Sequence, residues 1–147
     1  MKPSVKPLAV CLLLAAAAPL AAAQGTPAGL WKTIDDETQQ ARSHVRIVEA
    51  GGVLMGRIEK LLDPARQDAK CDQCNGARKD QPVLGMTILE AARKHASEPY
   101  WDGGTILDPN NGKTYKLRLT PREGGKLLEV RGFIGPFYRN QTWTRVE

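Results

Sequence analysis

The residues best suited to chemistry in this chain are two cysteines, Cys71 and Cys74, in the polar stretch AKCDQCNGARKDQP at 69–82. A Cys-x-x-Cys pair can act as a redox centre, supply half of a zinc site or form a structural disulfide. The three roles require different surroundings, because the first needs a stabilised thiolate, the second two further ligands and the third an oxidising compartment.

The neighbouring residues favour the structural disulfide. A redox pair begins a helix, whereas Asn75-Gly76 indicates a turn, and the carboxylate of Asp72 would raise the pKa of a thiol. The candidate zinc ligands His44 and His95 are single histidines far apart in the sequence. We therefore expect a Cys71–Cys74 disulfide that stabilises its loop by about 2 kcal/mol, and the redox and zinc roles remain as alternatives.

The start of the chain has the layout of a secretory signal peptide over residues 1–23. Lys2 and Lys6 give a basic start, an apolar run covers 8–20, and alanines at 21–23 form a small-residue cleavage site. The run is too short, and too interrupted by Pro19, for a membrane-spanning helix. An alanine-rich signal is typical of bacteria, so we expect the mature protein in the periplasm.

Cleavage after residue 23 would leave one domain over 24–147 and would remove Cys11 with the signal. No membrane span is then expected. Loss of the two lysines lowers the formal charge of +5 by two, and the remaining basic residues are dispersed rather than clustered. Nucleic acid is therefore not an expected partner, and the sequence identifies no protein partner.

Alternating apolar and polar residues separated by Gly, Asn and Pro turns predict an all-β fold. The segment GMTILEAARKHASE is mixed: it begins like a strand, while EAARKHA at 90–96 favours a short helix by propensity. Eight antiparallel strands with hairpin connections close most simply into an up-and-down barrel, because closure removes unpaired edges. The strand-like segments are LWKTI, HVRIVEA, VLMGRIEKLL, GMTIL, GTILD, KTYKLRLT, KLLEVRGFIG and QTWTRVE.

The alternation also predicts which side chains point into the barrel, where they could line a cavity. Gly56 and Gly132 share this inward parity and would leave space for a ligand. The expected cavity-lining residues are Val45, Ile47, Leu54, Ile58, Tyr115, Leu117, Leu119, Leu128 and Val130.

Several segments together resemble a known bacterial secreted family, catalogued as domain of unknown function 2147. They are GLWKTIDDET, CDQC, YWDGGTILDPNNGKTY, LEVRGFIG and QTWTRV, which extend from Gly29 to Val146. The resemblance implies a lipocalin-like barrel in the periplasm, and it implies no reaction.

The first strand carries a second resemblance, because Gly29-Leu30-Trp31 is similar to the G-x-W motif of lipocalins. In that superfamily an arginine from the last strand packs over the tryptophan and closes the barrel. Arg139 and Arg145 are the candidates, and we prefer Arg145 because it lies in the better-defined strand. The resemblance therefore implies a barrel-closing pair of Trp31 and Arg145, worth about 0.5–2 kcal/mol.

The sequence carries no catalytic motif of the G-x-S-x-G, H-E-x-x-H or P-loop type, and no cofactor or metal is expected. The acidic run 35–37 is interpreted as solvated charge in a connector. We expect binding of a small apolar or amphipathic ligand such as a lipid. The alternative is a structural or interaction protein of the cell envelope with a filled barrel, and a redox enzyme is a weaker one.

Overall fold

The computed structural model describes residues 25–147. The segment interpreted as a signal peptide, with Cys11, lies outside the described residues. Eight strands account for most of the described chain, and three short 3-10 turns lie at 64–66, 76–78 and 123–125. The strands are β1 Gly29–Ile34, β2 Ala41–Ala50, β3 Val53–Leu61, β4 Thr87–Lys94, β5 Trp101–Asp108, β6 Lys113–Arg122, β7 Leu127–Ile134 and β8 Phe137–Arg145.

The strands form a closed antiparallel barrel in which each strand pairs with the next along the chain. β1 closes the barrel against β8 through the register pairs Trp31–Arg145 and Lys32–Thr144. This architecture confirms the all-β, up-and-down barrel predicted from the alternation. Closure satisfies the backbone groups that an edge strand would leave exposed.

The prediction of a short helix over EAARKHA is wrong. These residues belong mostly to β4, which pairs with β5 through Glu90–Thr105 and Arg93–Asp102. Leu89 and Ala92 are buried in the core, so β4 completes a wall of the barrel. Tertiary pairing and burial outweigh the helix propensity of the Ala-, Lys- and Arg-rich stretch.

The alternating strand directions create two different ends. The end that we call the base carries the start of the described chain, its C-terminus and the connections at 51–52, 95–100 and 123–126. The opposite end, which we call the mouth, carries the connections at 35–40, 62–86, 109–112 and 135–136.

The base half of the barrel is filled by its own side chains. Large apolar residues from six strands meet there and are almost completely buried, as in a close-packed protein interior. They are Trp31, Val45, Ile47, Leu54, Leu89, Leu119 and Leu128. Within residues 25–147, no helix combines the length and apolar character needed to cross a membrane.

Candidate functional site

The base of the barrel is sealed by Arg145. Its guanidinium carbon lies 4.1 Å from the centre of the Trp31 ring, close enough for a cation–π interaction. Its three nitrogens donate hydrogen bonds to the carbonyl oxygens of Thr26, Ala28 and Gly125, at 2.8, 2.9 and 2.5 Å. One side chain therefore ties the start of the described chain and the 123–126 turn to the last strand.

The sequence around Trp31 is adapted to this arrangement. Gly29 has a φ of +141°, which other residues rarely adopt, and a Cβ atom there would lie 2.9 Å from the backbone carbonyl oxygen of Glu147 and 2.3 Å from an Arg145 nitrogen. Glycine is therefore strongly favoured. The indole N–H of Trp31 donates to the carbonyl oxygen of Pro27 at 2.7 Å. Burial lowers the pKa of Arg145, and its charge is held by carbonyl dipoles and an aromatic face. The barrel is therefore closed at its base.

The mouth half contains an apolar cavity of about 160 Å³. Trp143 contributes to its wall from the position two residues before Arg145 on the same face of β8, which places the cavity directly above the sealed base. The apolar lining includes Ile58, Leu61, Val83, Ile88, Val130 and Trp143.

The structure places the predicted lining residues in two groups. Ile58, Tyr115 and Val130 line the cavity, as does Gly132. The space at Gly56 is occupied by Leu89. The remaining six are buried deeper, in the packed half, and do not line the cavity: Val45, Ile47, Leu54, Leu117, Leu119 and Leu128.

Two ion pairs on the 35–40 loop border the cavity, and the first joins Asp35 to Arg42. The Asp35 carboxylate accepts a hydrogen bond from Arg42 at 3.0 Å and others from the backbone N–H and hydroxyl of Thr38 at 2.7 and 2.9 Å. These contacts, the Thr38 backbone N–H above all, lower the pKa of Asp35 to about 2. Asp35 thus fixes the shape of the loop beside the cavity.

The second ion pair joins the 35–40 loop to β8. Arg139 donates two hydrogen bonds of 2.6 Å to the two carboxylate oxygens of Asp36. This contact lowers the pKa of Asp36 and raises that of Arg139. Gln141 approaches Asp36 at 3.4 Å and accepts a 3.0 Å hydrogen bond from the Trp143 indole. A polar chain therefore runs from the rim down to the cavity wall.

These pairs correct the interpretation of the acidic run as solvated charge, which is wrong for Asp35 and Asp36. Arg139 is 103 residues from Asp36 in the sequence, and strand alternation alone does not show that the two meet. The alternation of residues along β8 does indicate, from the sequence, that Arg139 lies on the same face as Trp143. It does not identify the loop that closes over that face.

The charges around the cavity are balanced. Among the described residues that line it, three carboxylates face three guanidiniums: Asp35, Asp63 and Asp108 against Arg42, Arg66 and Arg139. Arg66 donates a 3.1 Å hydrogen bond to the amide oxygen of Asn110. The residues that line the mouth are thus strongly polar and carry no net formal charge, and Asp36 adds a further carboxylate at the rim through its pair with Arg139. The interior below is mainly apolar.

The structure contains the Cys71–Cys74 disulfide, inside the 62–86 connection that covers one side of the cavity. The backbone folds back on itself around it: Cys71 N–H donates to Gln81 at 2.9 Å, and Val83 N–H donates to Ala69 at 2.9 Å. Ala69 and Val83 both line the cavity. The disulfide therefore pins a segment that forms part of the cavity wall.

The surroundings of the cysteines suit a structural disulfide. Both cysteines are buried, and the connection packs so tightly on the 109–112 turn that a Cβ on Gly112 would lie 1.9 Å from the carbonyl oxygen of Gln73. A redox pair instead needs an accessible sulfur. The part of the chain that the structure describes brings no three His, Cys, Asp or Glu side chains together as a metal site.

A closed eight-stranded antiparallel barrel with one sealed end and an apolar cavity at the other is a lipocalin-like fold. The chain belongs to the family described as "Uncharacterized protein conserved in bacteria (DUF2147)", which matches residues 29–145. Among solved structures it is similar to protein HP1028 from the human pathogen Helicobacter pylori, described as belonging to the lipocalin family. The TM-score is 0.70 at 21% identity, over 83% of this chain and 84% of that one, and this likeness shows the fold alone. No curated protein matches the chain.

Proposed function

We propose that this protein binds a small apolar or amphipathic molecule in the mouth-half cavity. The observation that carries the proposal is an apolar space of about 160 Å³ inside a barrel whose other half is packed with almost fully buried apolar side chains. A dry, apolar protein cavity of about 150 Å³ accepts benzene. The cavity also favours ligand binding over the alternative of an envelope protein with a filled barrel.

The volume restricts the size of the ligand. Pockets that enclose drug-sized molecules measure about 300–1,000 Å³, so this cavity holds a smaller apolar body. A group with about six to eight carbons matches it, by comparison with benzene. A long-chain lipid would place only the end of its chain inside, with the rest outside the mouth.

The rim restricts the polar head of a ligand less than the cavity restricts its apolar body. Three carboxylates and three guanidiniums line the opening, and the Asp36 carboxylate lies beside them. The rim therefore provides donors and acceptors to a polar head of either sign. We therefore expect binding to depend strongly on the length of the apolar body and weakly on the charge of the head.

A series of n-alkanols from four to twelve carbons, titrated calorimetrically, tests this proposal. Each CH₂ that enters the cavity contributes about 0.8 kcal/mol, or about fourfold in Kd. We expect that gain up to about six to eight carbons and a plateau beyond. Absence of binding throughout the series contradicts the proposal, and a steady gain to twelve carbons contradicts the size limit.

A matched pair of variants locates the site. Val130→Phe places a ring in the cavity, since Val130 lines it, whereas Val48→Phe adds the same bulk on the outer face of β2. We expect Val130→Phe to abolish alkanol binding and Val48→Phe to leave it unchanged. Equal binding by both variants would place the ligand elsewhere.

We also propose that the protein acts in the periplasm after removal of residues 1–23. The layout of that segment and the Cys71–Cys74 disulfide support an exported protein. Cell fractionation followed by mass spectrometry of the intact protein tests both points. A periplasmic protein that begins at Gln24 is expected, and a cytoplasmic protein that retains Met1 contradicts the proposal.

A further inference from the structure

The β7–β8 hairpin ends in an exposed apolar tip at the mouth of the barrel. Its turn is Gly135-Pro136, and the pair that closes it, Ile134 and Phe137, is 50% and 72% exposed. Phe133 and Tyr138 form the next pair inward, with ring centres 6.1 Å apart. We call the segment 133–138 the hairpin tip.

The hairpin tip differs from the other exposed apolar positions of the described chain. Val48 and Met55, which are 51% and 47% exposed, form one cross-strand pair on the outer face of β2 and β3. Single exposed apolar residues of that kind are normal on protein surfaces. At the hairpin tip, by contrast, apolar side chains follow one another and project at the end of a turn.

Basic residues occupy the level immediately behind the hairpin tip. Arg131 pairs with Asn140, two pairs inward from the pair of Phe133 and Tyr138, and its guanidinium carbon lies 4.4 Å from the centre of the Tyr138 ring. On the adjacent strand, Arg118 lies 5.4 Å from the ring centre of Phe133. Aromatic rings and guanidiniums thus form one continuous surface.

The charge of this outer surface is predominantly positive. Lys116 and Arg118 on β6 lie opposite Phe133 and Arg131 on β7. The carboxylate in contact with this group is that of Glu129, 3.6 Å from Arg131. An apolar end, an aromatic level and a basic level therefore follow one another along the hairpin.

The spacing of these levels corresponds to the interface of a lipid bilayer. From the closing pair of Ile134 and Phe137 to the level of Arg131 is three residues, or about 10 Å at the rise of a strand. Interfacial protein segments bury their apolar side chains about 5–10 Å into the boundary between head groups and acyl chains. Guanidiniums at the next level would then face the lipid phosphates, which they bind with two parallel hydrogen bonds.

We propose that the hairpin tip docks the barrel on an anionic membrane surface, with Ile134 and Phe137 in the interface and Lys116, Arg118 and Arg131 against the head groups. This surface lies at the same end as the cavity mouth. The docking does not depend on the proposed ligand, because Ile134 and Phe137 do not line the cavity.

Flotation with phospholipid vesicles tests the docking, using protein purified from cells that produce the full chain. We compare Ile134→Ser/Phe137→Ser with the control Val48→Ser/Met55→Ser, which also removes two exposed apolar side chains, but from another face. If residues 1–23 are retained, both variants carry them, so they do not affect the comparison. On vesicles containing phosphatidylglycerol, we expect the hairpin variant to lose at least about tenfold in partition coefficient and the control to bind like the unmodified protein.

A charge variant tests whether the docking requires an anionic lipid. Replacing Arg131 by Gln is expected to weaken binding to phosphatidylglycerol vesicles about fivefold and to leave the weaker binding to phosphatidylcholine unchanged. Lys126→Gln, near the base of the barrel, serves as its control. Hydrogen exchange of vesicle-bound protein should show added protection at 133–138 and none at 48–55.

Three results would overturn the docking: no vesicle binding by the unmodified protein, equal binding by the hairpin variant and its control, or added protection at 48–55 instead of 133–138. A dimer in sedimentation that the hairpin variant abolishes, without vesicle binding, would assign the hairpin tip to a second copy of the chain. Alkanol titration of the hairpin variant keeps the two proposals distinguishable, because it should bind alkanols normally even where docking is lost.

Discussion

The base half and the mouth half of this barrel are built from the same eight strands, yet only one of them is filled. At the base, Trp31 and its buried neighbours occupy the interior, and Arg145 closes the end. At the mouth, the strands enclose about 160 Å³ of apolar space beneath a rim that carries the ion pairs Asp35–Arg42 and Asp36–Arg139. The comparison shows that one barrel can combine a packed half and a half that encloses a cavity along a single axis.

The two ends of the barrel also differ in the interactions that hold their arginines. Arg145 at the base is held by carbonyl groups and an aromatic ring, and burial lowers its pKa. Arg139 at the mouth is paired with Asp36, which raises its pKa. The base arginine therefore seals the end of the barrel, whereas the mouth arginine holds a loop through an ion pair at the solvent boundary.

The difference in packing between the two halves is tested by truncating one leucine in each half of β3. Leu54, in the filled half, is 0% exposed, and Leu61, at the cavity, is 8% exposed. We expect Leu54→Ala to lower the free energy of unfolding by about 3–5 kcal/mol. Leu61→Ala should cost about 2 kcal/mol or less, because its side chain already borders a space. Equal losses in urea denaturation would show that the two halves are equally packed.

The seal at the base predicts the next largest effect. Arg145→Met removes the cation–π contact and leaves the carbonyls of Thr26 and Ala28 without their donors, so we expect a loss of about 2–4 kcal/mol. Arg122→Met, on the exposed surface near the same end, should change stability by about 0.5 kcal/mol or less. Thermal unfolding of both variants measures the difference, and a tolerated Arg145→Met would show that the base does not depend on this residue.

The disulfide should matter more for the mouth than for the base. A Cys71→Ser/Cys74→Ser variant should lose about 2 kcal/mol in the chain-entropy model, and its alkanol affinity should fall because Ala69 and Val83 lose their support. Near-ultraviolet circular dichroism, which reports tryptophan packing, should retain the signal of the base. Unchanged alkanol affinity would separate the 62–86 connection from the binding site.

The smallest effect concerns pH. The pKa of Asp35 falls from 3.8 to about 2 on folding, so its ionised form stabilises the folded state at pH values above about 4. That contribution is lost as the pH falls towards 2. We expect Asp35→Asn to cost about 1 kcal/mol at neutral pH and to reduce the acid dependence of stability between pH 4 and 2. An unchanged pH dependence of stability in Asp35→Asn would show that Asp35 does not contribute to it.

Most of the fold could be predicted from the sequence, because alternation and turn residues act locally. Segments such as KTYKLRLT show both the strand and its inward face. Helix propensity gave a wrong prediction for EAARKHA, because it competes there with tertiary pairing. Most of these residues are good helix formers, yet they pair in the barrel as part of β4.

The candidate site could be predicted only in part, because alternation identifies inward side chains and does not show whether they meet. Val130 and Leu128 have the same parity on β7, yet Val130 borders the cavity and Leu128 is packed in the filled half. The pairing of Asp36 with Arg139 depends on how a loop closes over the barrel. Such long-range geometry leaves no periodic signal in the chain.

A crystal structure under xenon pressure tests whether the apolar space of the barrel is confined to the mouth half, because xenon enters dry apolar cavities. We predict xenon density between Ile58, Val130 and Trp143, and its loss in Val130→Phe. Xenon bound among Val45, Leu54 and Leu119 instead, or side chains filling the space above Trp143, would contradict the account.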